Sequence, residues 1–291
     1  MNPDTLLSAL ATLAAAWEAH AAPKPGLVDR LGSGAHKDMD YVTFLASACA
    51  LSPFWEFQAR VGLEGTEPVK AMPCLRSTGL EMEQAMAAAT GGVNTHKGLV
   101  YALSLLLYGA GFCLHTAGCV LPREAARFAS EAVAPSVREE FFALKNPEGR
   151  KAKTHGERLY LQRGVTGIRG EAASGFPCVL DLGLPSLEKA LKRGSSLNDA
   201  ALHALFSIAS RCEDSNVITR GGYEFWIERH LPLMADLARE LPPYSAPFLR
   251  RLGEVDADYS RLGVSPGGAA DLLTCSLFLY WAQLVNIRDM S

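Results

Sequence analysis

The chain has 291 residues, 48% of them hydrophobic and 20% charged, which is ordinary for a soluble globular protein able to enclose a sizeable core. A formal net charge of −3 excludes the basic balance of a nucleic-acid binder or an anionic-membrane binder. Seven cysteines lie scattered with no C-x-x-C pair, so zinc-ribbon spacing and a small disulfide framework are both absent, and reduced thiols in a cytoplasmic setting are expected.

Ala and Leu outnumber Val and Ile about fourfold, which favours helix over strand. The first residues lack a basic n-region and carry Asp4 and Glu18, so no signal peptide is expected. Leu6, Leu7, Leu10, Leu13 and Trp17 fall at helical spacing and predict a helix over 3–21. Further helices are predicted over 39–60, over 71–89 (ended by "TGG"), and over 97–118. The stretch from Gly98 to Pro122 has no Lys, Arg, Asp or Glu and is long enough to span a bilayer. Its interior glycines, histidine and tyrosines, and the lack of a second such span, favour a buried helix that breaks near "GAG".

Pro122 suits the first turn of a helix over 122–145. Helical patterns continue over 154–163, 197–212, 223–240, 244–262 and 266–286. No stretch alternates with period two between hairpin turns. His115 and His203 sit in apolar helical stretches and read as core histidines. The expected architecture is one all-α domain over 1–291, with roughly ten helices and glycine-rich polar loops forming one pocket.

The charged and glycine-rich residues collect in five segments: 24–40, 91–98, 164–177, 213–222 and 265–273. The first, "KPGLVDRLGSGAHKDMD", carries Lys24, Asp29, Arg30, His36, Lys37, Asp38 and Asp40. Glycine lets backbone N–H groups approach a ligand, and helix N-termini attract anions. In the second, Asn94 or Thr95 can cap a helix starting near His96, and Lys97 then lies unfavourably in its first turn unless an anion is bound. A plain cap with a solvated lysine is the other reading. In the fifth, Ser265 suits the N-cap and Pro266 the first helical position, with Gly267 and Gly268 following. Asp271 is then either a surface acid or a buried acid that needs a cation. Arg169, Glu171, Glu213, Asp214, Asn216 and Arg220 supply the third and fourth segments with bases suited to phosphate and oxygen ligands suited to Mg²⁺. There is no Walker A motif, dinucleotide fingerprint, G-x-S-x-G or H-E-x-x-H.

"PKPGLVDR", "GSGAHKDMD", "TGGVNTHKG", "TGIRGEAASGFP", "DSNVITRGG" and "SPGGAADLL" occur in this order between about Glu18 and Leu279. Together they resemble the triphosphoribosyl-dephospho-CoA synthase family. Residues 51–75, 110–153 and 178–205 add little to the resemblance. The family often has "DTN" where Asp214-Ser215-Asn216 stands, and "GGSADLL" where Ala269 stands; both departures keep the carboxylate. The resemblance implies a cytoplasmic, Mg²⁺-dependent transferase. It would move the triphosphoribosyl group of ATP to the 2′-hydroxyl of 3′-dephospho-CoA and release adenine. The product would pass to an acyl-carrier-protein holo-transferase and serve citrate lyase or malonate decarboxylase. The opening motif is nearer the citrate-lyase branch.

Cleaving the N-glycosidic bond builds positive charge on the ribose, so the chemistry needs carboxylates, a base and a phosphate grip. Lys24, Arg30, Lys37, Lys97, Arg169 and Arg220 are assigned to phosphate, with Asn94, Asn216, Ser265, Gly267 and Gly268 assisting. Glu171, Asp214 and Asp271 are assigned to Mg²⁺, with Asp38 as a further ligand or catalytic group. Asp29 or His36 is the base, and His96 meets adenine or phosphate. An all-α Mg²⁺-dependent nucleotide or ADP-ribose hydrolase and a nucleotide-binding scaffold are the rival readings. No nucleic acid or membrane partner is expected, and a homo-oligomer stays open.

Overall fold

A computed structural model of the chain describes residues 2–146 and 152–286. Helices are the regular structure among those residues, with no strand beyond two isolated bridges. Helix α1 covers Pro3–His20, α2 Tyr41–Leu63, α3 Pro68–Thr90, α4 Lys97–Ala117 and α5 Pro122–Lys145. These follow the sequence pattern closely, since local chemistry sets their ends. Asp40 and Thr43 form a capping box at the start of α2. Pro68 and Pro122 occupy first-turn positions. Gly91 ends α3 at φ 66°, a left-handed conformation that glycine adopts without penalty.

The C-terminal half departs more from expectation. Short helices α6 (His155–Arg163) and α7 (Gly167–Ala173) come first. A π turn at Val179–Gly183 leads into α8 (Leu184–Lys192), which the sequence did not reveal. Then follow α9 (Leu197–Ala209), α10 (Ser215–Gly221), α11 (Tyr223–Phe225), a π turn at Trp226–His230, α12 (Leu231–Leu237), α13 (Ala246–Leu262) and α14 (Gly267–Ala282). Two expected loops, 164–177 and 213–222, therefore contain the helices α7 and α10. Seven residues show too little period to separate a short helix from a loop.

Helix α4 is the centre of the first half, touching α1, α2, α3 and α5. Helix α9 organises the second, touching α8, α12 and the first π turn. Helix α14 belongs to both, packing on α1, α4, α8 and α9. Among the described residues α4 is the one helix long and apolar enough to cross a membrane, yet 78% of its apolar window is buried inside the fold. It is a core helix here.

That helix does not break at Gly109-Ala110-Gly111, against expectation, but runs on to Ala117. The glycines serve close packing instead. A Cβ on Gly109 would stand 2.0 Å from the Ala125 carbonyl oxygen of α5, and one on Gly111 would stand 2.1 Å from that of Ala59 on α2. Both obstacles are backbone and cannot rotate away. His115, expected in the core, is exposed and bonds through Nδ1 to the Leu63 carbonyl at 3.0 Å. His203 is buried as expected.

Gly111→Ala should therefore lower stability by about 1–3 kcal/mol through forced separation of α2 and α4. Gly79→Ala, on α3 with its nearest obstacle 4.0 Å away, should be neutral or stabilising by up to about 1 kcal/mol. Urea unfolding midpoints of the two variants check the contrast.

Candidate active site

A cavity of about 730 Å³ opens between the two halves. Residues from all five polar segments line it: His36 from the first, Asn94 and His96 from the second, and Arg169 and Glu171 from the third. Asn216 and Arg220 come from the fourth, and Ser265 and Asp271 from the fifth. The helices explain the convergence. The first turns of α4, α6, α7, α10 and α14 all face this space. Helix N-termini carry partial positive charge, and here both acids and bases of the protein share the wall with them.

Most of those N–H groups already hold a carboxylate. Glu157 closes a capping box with Thr154 on α6. Glu213 Oε2 accepts from the N–H groups of Thr166, at 2.6 Å, and Gly167, at 3.1 Å, entering α7. Asp214 Oδ1 accepts from Asn216 and Val217 of α10, and its Oδ2 accepts from Ala269 of α14 at 2.9 Å. Glu171 Oε1 accepts from Cys178 N–H at 2.7 Å, just before the first π turn. Asp271 bonds the Leu99 N–H of α4.

These contacts decide which acids stay available. Asp214 is fully buried, does not line the cavity, and is also approached by Gly268 N–H. Both its oxygens are engaged, so it ties α10 to α14 instead of presenting a metal ligand. The sequence-based assignment of Asp214 is to Mg²⁺. Asp29, which the sequence offers as a base, is engaged in a similar way. Its Oδ2 accepts from Lys24 N–H, and its Oδ1 accepts from the N–H groups of Leu31 and Gly32. It shapes the turn and lies outside the cavity lining.

Glu171 and Asp271 retain free acceptor capacity and face the cavity. Burial raises the Glu171 carboxyl, against the lowering effect of the Cys178 and Val179 donors. Asp271 is raised well above the usual carboxylate range by burial and by the nearby charges of Glu18 and Asp214. A Cβ on Gly98 would fall 2.0 Å from Asp271 Oδ2, so glycine there is what lets the carboxyl reach α4.

Glu18 forms part of the cavity lining and is paired with Lys24. The Lys24 ammonium is fully buried and also donates to the Glu18 carbonyl at 2.6 Å. Burial pushes the Glu18 carboxyl up, and Lys24 opposes this. Lys24 is thus committed to an internal ion pair and does not reach a phosphate. Arg30 is committed elsewhere too, donating to the His20 carbonyl at 2.6 Å and to Asn198. Lys37 is exposed and outside the cavity lining.

The remaining bases sit around the wall. Lys97 bonds Glu83 of α3 at 2.7 Å, so an acid of the protein answers its place in the first turn of α4. Asn94 Oδ1 caps that helix, accepting from Lys97 N–H at 3.2 Å. Arg169 pairs with Glu140 at 3.2 Å. Arg220 donates to the Gly263 carbonyl and approaches His36 Nδ1 at 3.5 Å. Asp38 lies 3.8 Å from the same nitrogen and is largely exposed. Ser265 is not the N-cap of α14; its hydroxyl pairs with His36 Nε2 at 3.0 Å, and Pro266 takes the cap position. Burial lowers the His36 pKa, Arg220 lowers it further, and Asp38 raises it in part.

Sequence reading missed Glu18, the α6 entry from Thr154 to Glu157, and Arg211, all of which line the cavity. The "THGE" capping box was a readable sign of a helix start. Glu18 left no such sign, since it falls in the last turn of an ordinary amphipathic helix.

A family model described as ATP:dephospho-CoA triphosphoribosyl transferase matches residues 4–288. The chain belongs to this family. Relatives named probable 2-(5″-triphosphoribosyl)-3′-dephosphocoenzyme-A synthase include one from Vibrio cholerae, 35% identical over 97% of this chain and 90% of its own. Another, from Streptococcus equi subsp. equi, is 36% identical over 96% of this chain and 97% of its own. One from Pectobacterium atrosepticum, named without "probable", is 38% identical over 89% and 83%. No solved structure matches the chain. Family members of this name are transferases that use ATP.

Asp214→Ala should unfold more readily, by about 2–3 kcal/mol, because three backbone donors lose a charged acceptor. Thermal melting compared with Asp271→Ala checks this. The second variant should keep most of its stability, because a raised carboxyl is removed from a cavity wall.

Proposed function

We propose that the chain transfers the triphosphoribosyl group of ATP to the 2′-hydroxyl of 3′-dephospho-CoA and releases adenine. The product would be the prosthetic-group precursor for the acyl carrier protein of citrate lyase or malonate decarboxylase, passed on by a holo-transferase. Both substrates belong to the cytoplasm, where we place the reaction. The observation that carries the reading is one cavity lined from all five polar segments, where Lys97, Arg169, Arg211 and Arg220 share the wall with the His36 imidazole and two carboxyls that keep acceptor capacity.

The triphosphate needs positive partners. Arg220, Arg169, Lys97 and Arg211 line the cavity, and Arg211 makes no ion pair among the described residues. The Gly267 backbone and the Asn216 side chain, in the first turns of α14 and α10, add neutral donors.

Among the described residues no three Asp, Glu, His or Cys side chains form a ready-made metal cage. Mg²⁺ is commonly held by one or two carboxylates, waters and substrate phosphates. Asp271 and Glu171 fit that pattern, since each faces the cavity with unspent oxygens and burial raises each carboxyl. The ion would neutralise phosphate charge and ionise these acids. The same carboxyls lie in the wall that would face a ribose gaining positive charge, where a carboxylate favours the oxocarbenium-like state.

His36 is the proton acceptor for the attacking hydroxyl. It is neutral near pH 7 because burial and Arg220 hold its pKa down. Asp38, 3.8 Å away, favours the imidazolium that forms.

Incubation with ATP, Mg²⁺ and 3′-dephospho-CoA should release adenine only when dephospho-CoA is present, as followed by chromatography. Adenine or phosphate released without it would instead identify a nucleotide hydrolase, and no turnover would leave a binding scaffold.

The acid limb of kcat/KM should lie below the usual histidine range of about 6.5. A depressed pKa keeps His36 unprotonated down to lower pH. Arg220→Gln removes a cation that lowers this pKa, so the limb should move up in pH. Asp38→Asn removes a group that raises it, so the limb should move down. Movement of both limbs in one direction would refute His36 as the base.

A further inference from the structure

The cavity wall holds one imidazole whose two nitrogens have very different surroundings. His96 stands at the entry to α4 and is 2% exposed. Its Nδ1 lies 2.7 Å from Ser47 Oγ. Ser47 is fully buried on α2 and does not line the cavity, whereas His96 does. On the other side of Ser47 Oγ lies Thr95 Oγ1, at 2.8 Å. His96 Nε2 is buried and has no hydrogen-bond partner among the described residues.

A hydroxyl relay running from Thr95 through Ser47 to the ring would set the tautomer. A serine hydroxyl has one proton to give. With Thr95 donating to Ser47, that proton goes to His96 Nδ1. Nδ1 is then an acceptor, and the imidazole's own proton sits on Nε2. A buried N–H without a partner costs about 1–3 kcal/mol, so such a group in a cavity wall marks a place where a ligand acceptor belongs.

The surroundings argue against a phosphate oxygen as that acceptor. Burial and the nearby Lys24 ammonium lower the His96 pKa to about 3, so the ring is not an imidazolium. Phe44 meets the ring edge-on, with centroids 4.9 Å apart and planes at 74°. Phe44, Met39, Leu27 and Val28 all line the cavity from the segment that enters α2. An aromatic and aliphatic wall beside a neutral donor suits a planar heterocycle better than a polyanion.

We propose that Thr95 and Ser47 hold His96 as a neutral imidazole protonated on Nε2, and that this N–H donates to a ring nitrogen of the purine as it leaves. The inference rests on the pentosyl transfer proposed above. When the C1′–N9 bond breaks, its electron pair stays with the purine, and negative charge spreads to N3 and N7. The Nε2–H group stabilises that charge by a hydrogen bond and keeps its proton. The proton that adenine finally carries balances the one lost by the attacking hydroxyl. A neutral imidazole used as a donor to developing negative charge has precedent in other enzymes. His96 is the catalytic residue in this assignment, and Ser47 and Thr95 are positioning residues.

The test compares ATP, 3-deaza-ATP and 7-deaza-ATP as substrates of the wild type, H96A, H96Q and S47A. H96A should lower kcat on ATP about 100- to 1,000-fold, the range for loss of one oriented donor, with little change in the KM for ATP. One deaza nucleotide, lacking the acceptor, should be slow with the wild type, and H96A should slow it hardly further. H96Q retains a neutral donor and should recover about tenfold or more of the H96A loss. Nitrogen-15 NMR of the histidine ring should show neutral His96 with the proton on Nε2 between about pH 5 and pH 8. S47A should give mixed tautomers and a lowered kcat.

Equal slowing of all three nucleotides by H96A, a change in the KM for ATP alone, or an imidazolium or Nδ1–H signal in the wild type would overturn the assignment. Absence of adenine release by the wild type would overturn the transfer itself and the purine contact with it. The NMR spectrum would still report the tautomer, so the two failures are distinguishable.

Discussion

The structure depends on carboxylates seated at helix N-termini. Glu157, Glu213, Asp214 and Asp271 accept from the entries of α6, α7, α10 and α4, and Asp214 also reaches α14. Converging helix starts leave many N–H groups without intrahelical partners in one place. In a protein interior those groups must be satisfied, and an acid from another element does so while joining the two elements. The cavity is where this joining occurs. Architecture and site therefore share one electrostatic device, with the acids holding the helix ends together and the remaining N–H groups and bases left for a ligand.

Helix α14 shows how the two halves become one site. It packs on α1 and α4 of the first half and on α8 and α9 of the second. Its first turn receives Asp214, and its second turn sends Asp271 across to α4. Small residues make this approach feasible. A Cβ at Gly267 would stand 2.6 Å from Asn216 Nδ2, and one at Gly98 would meet Asp271. The glycine content of these segments is thus an ordinary packing requirement as much as a ligand-binding one.

The helical class and the long helices were legible because amphipathic period, Pro122 and the "TGG" stop are local signals. The convergence of the five segments was legible from their shared composition. The duties of individual carboxylates were not. Asp214 and Asp271 look alike in sequence, each beside glycines or small polar residues. One has its oxygens filled by Asn216, Val217 and Ala269, and the other keeps a free face. Lys24 and Lys97 look equally suited to phosphate, yet one is buried against Glu18 and the other pairs with Glu83 at the surface. Each distinction depends on which side chains and N–H groups the folded chain brings together, which spacing alone does not encode.

The titration states then assemble into a consistent picture of the empty cavity. Burial raises Glu171 and Asp271 and lowers His36 and His96, so each of these groups is pushed towards its neutral form. Fixed positive charge remains on the arginines of the wall. A divalent cation arriving with a polyanion would favour the carboxylate forms of these acids. The neutral imidazoles need no such shift. His36 is already able to accept a proton and His96 already oriented to donate a hydrogen bond, so both act without waiting for the metal.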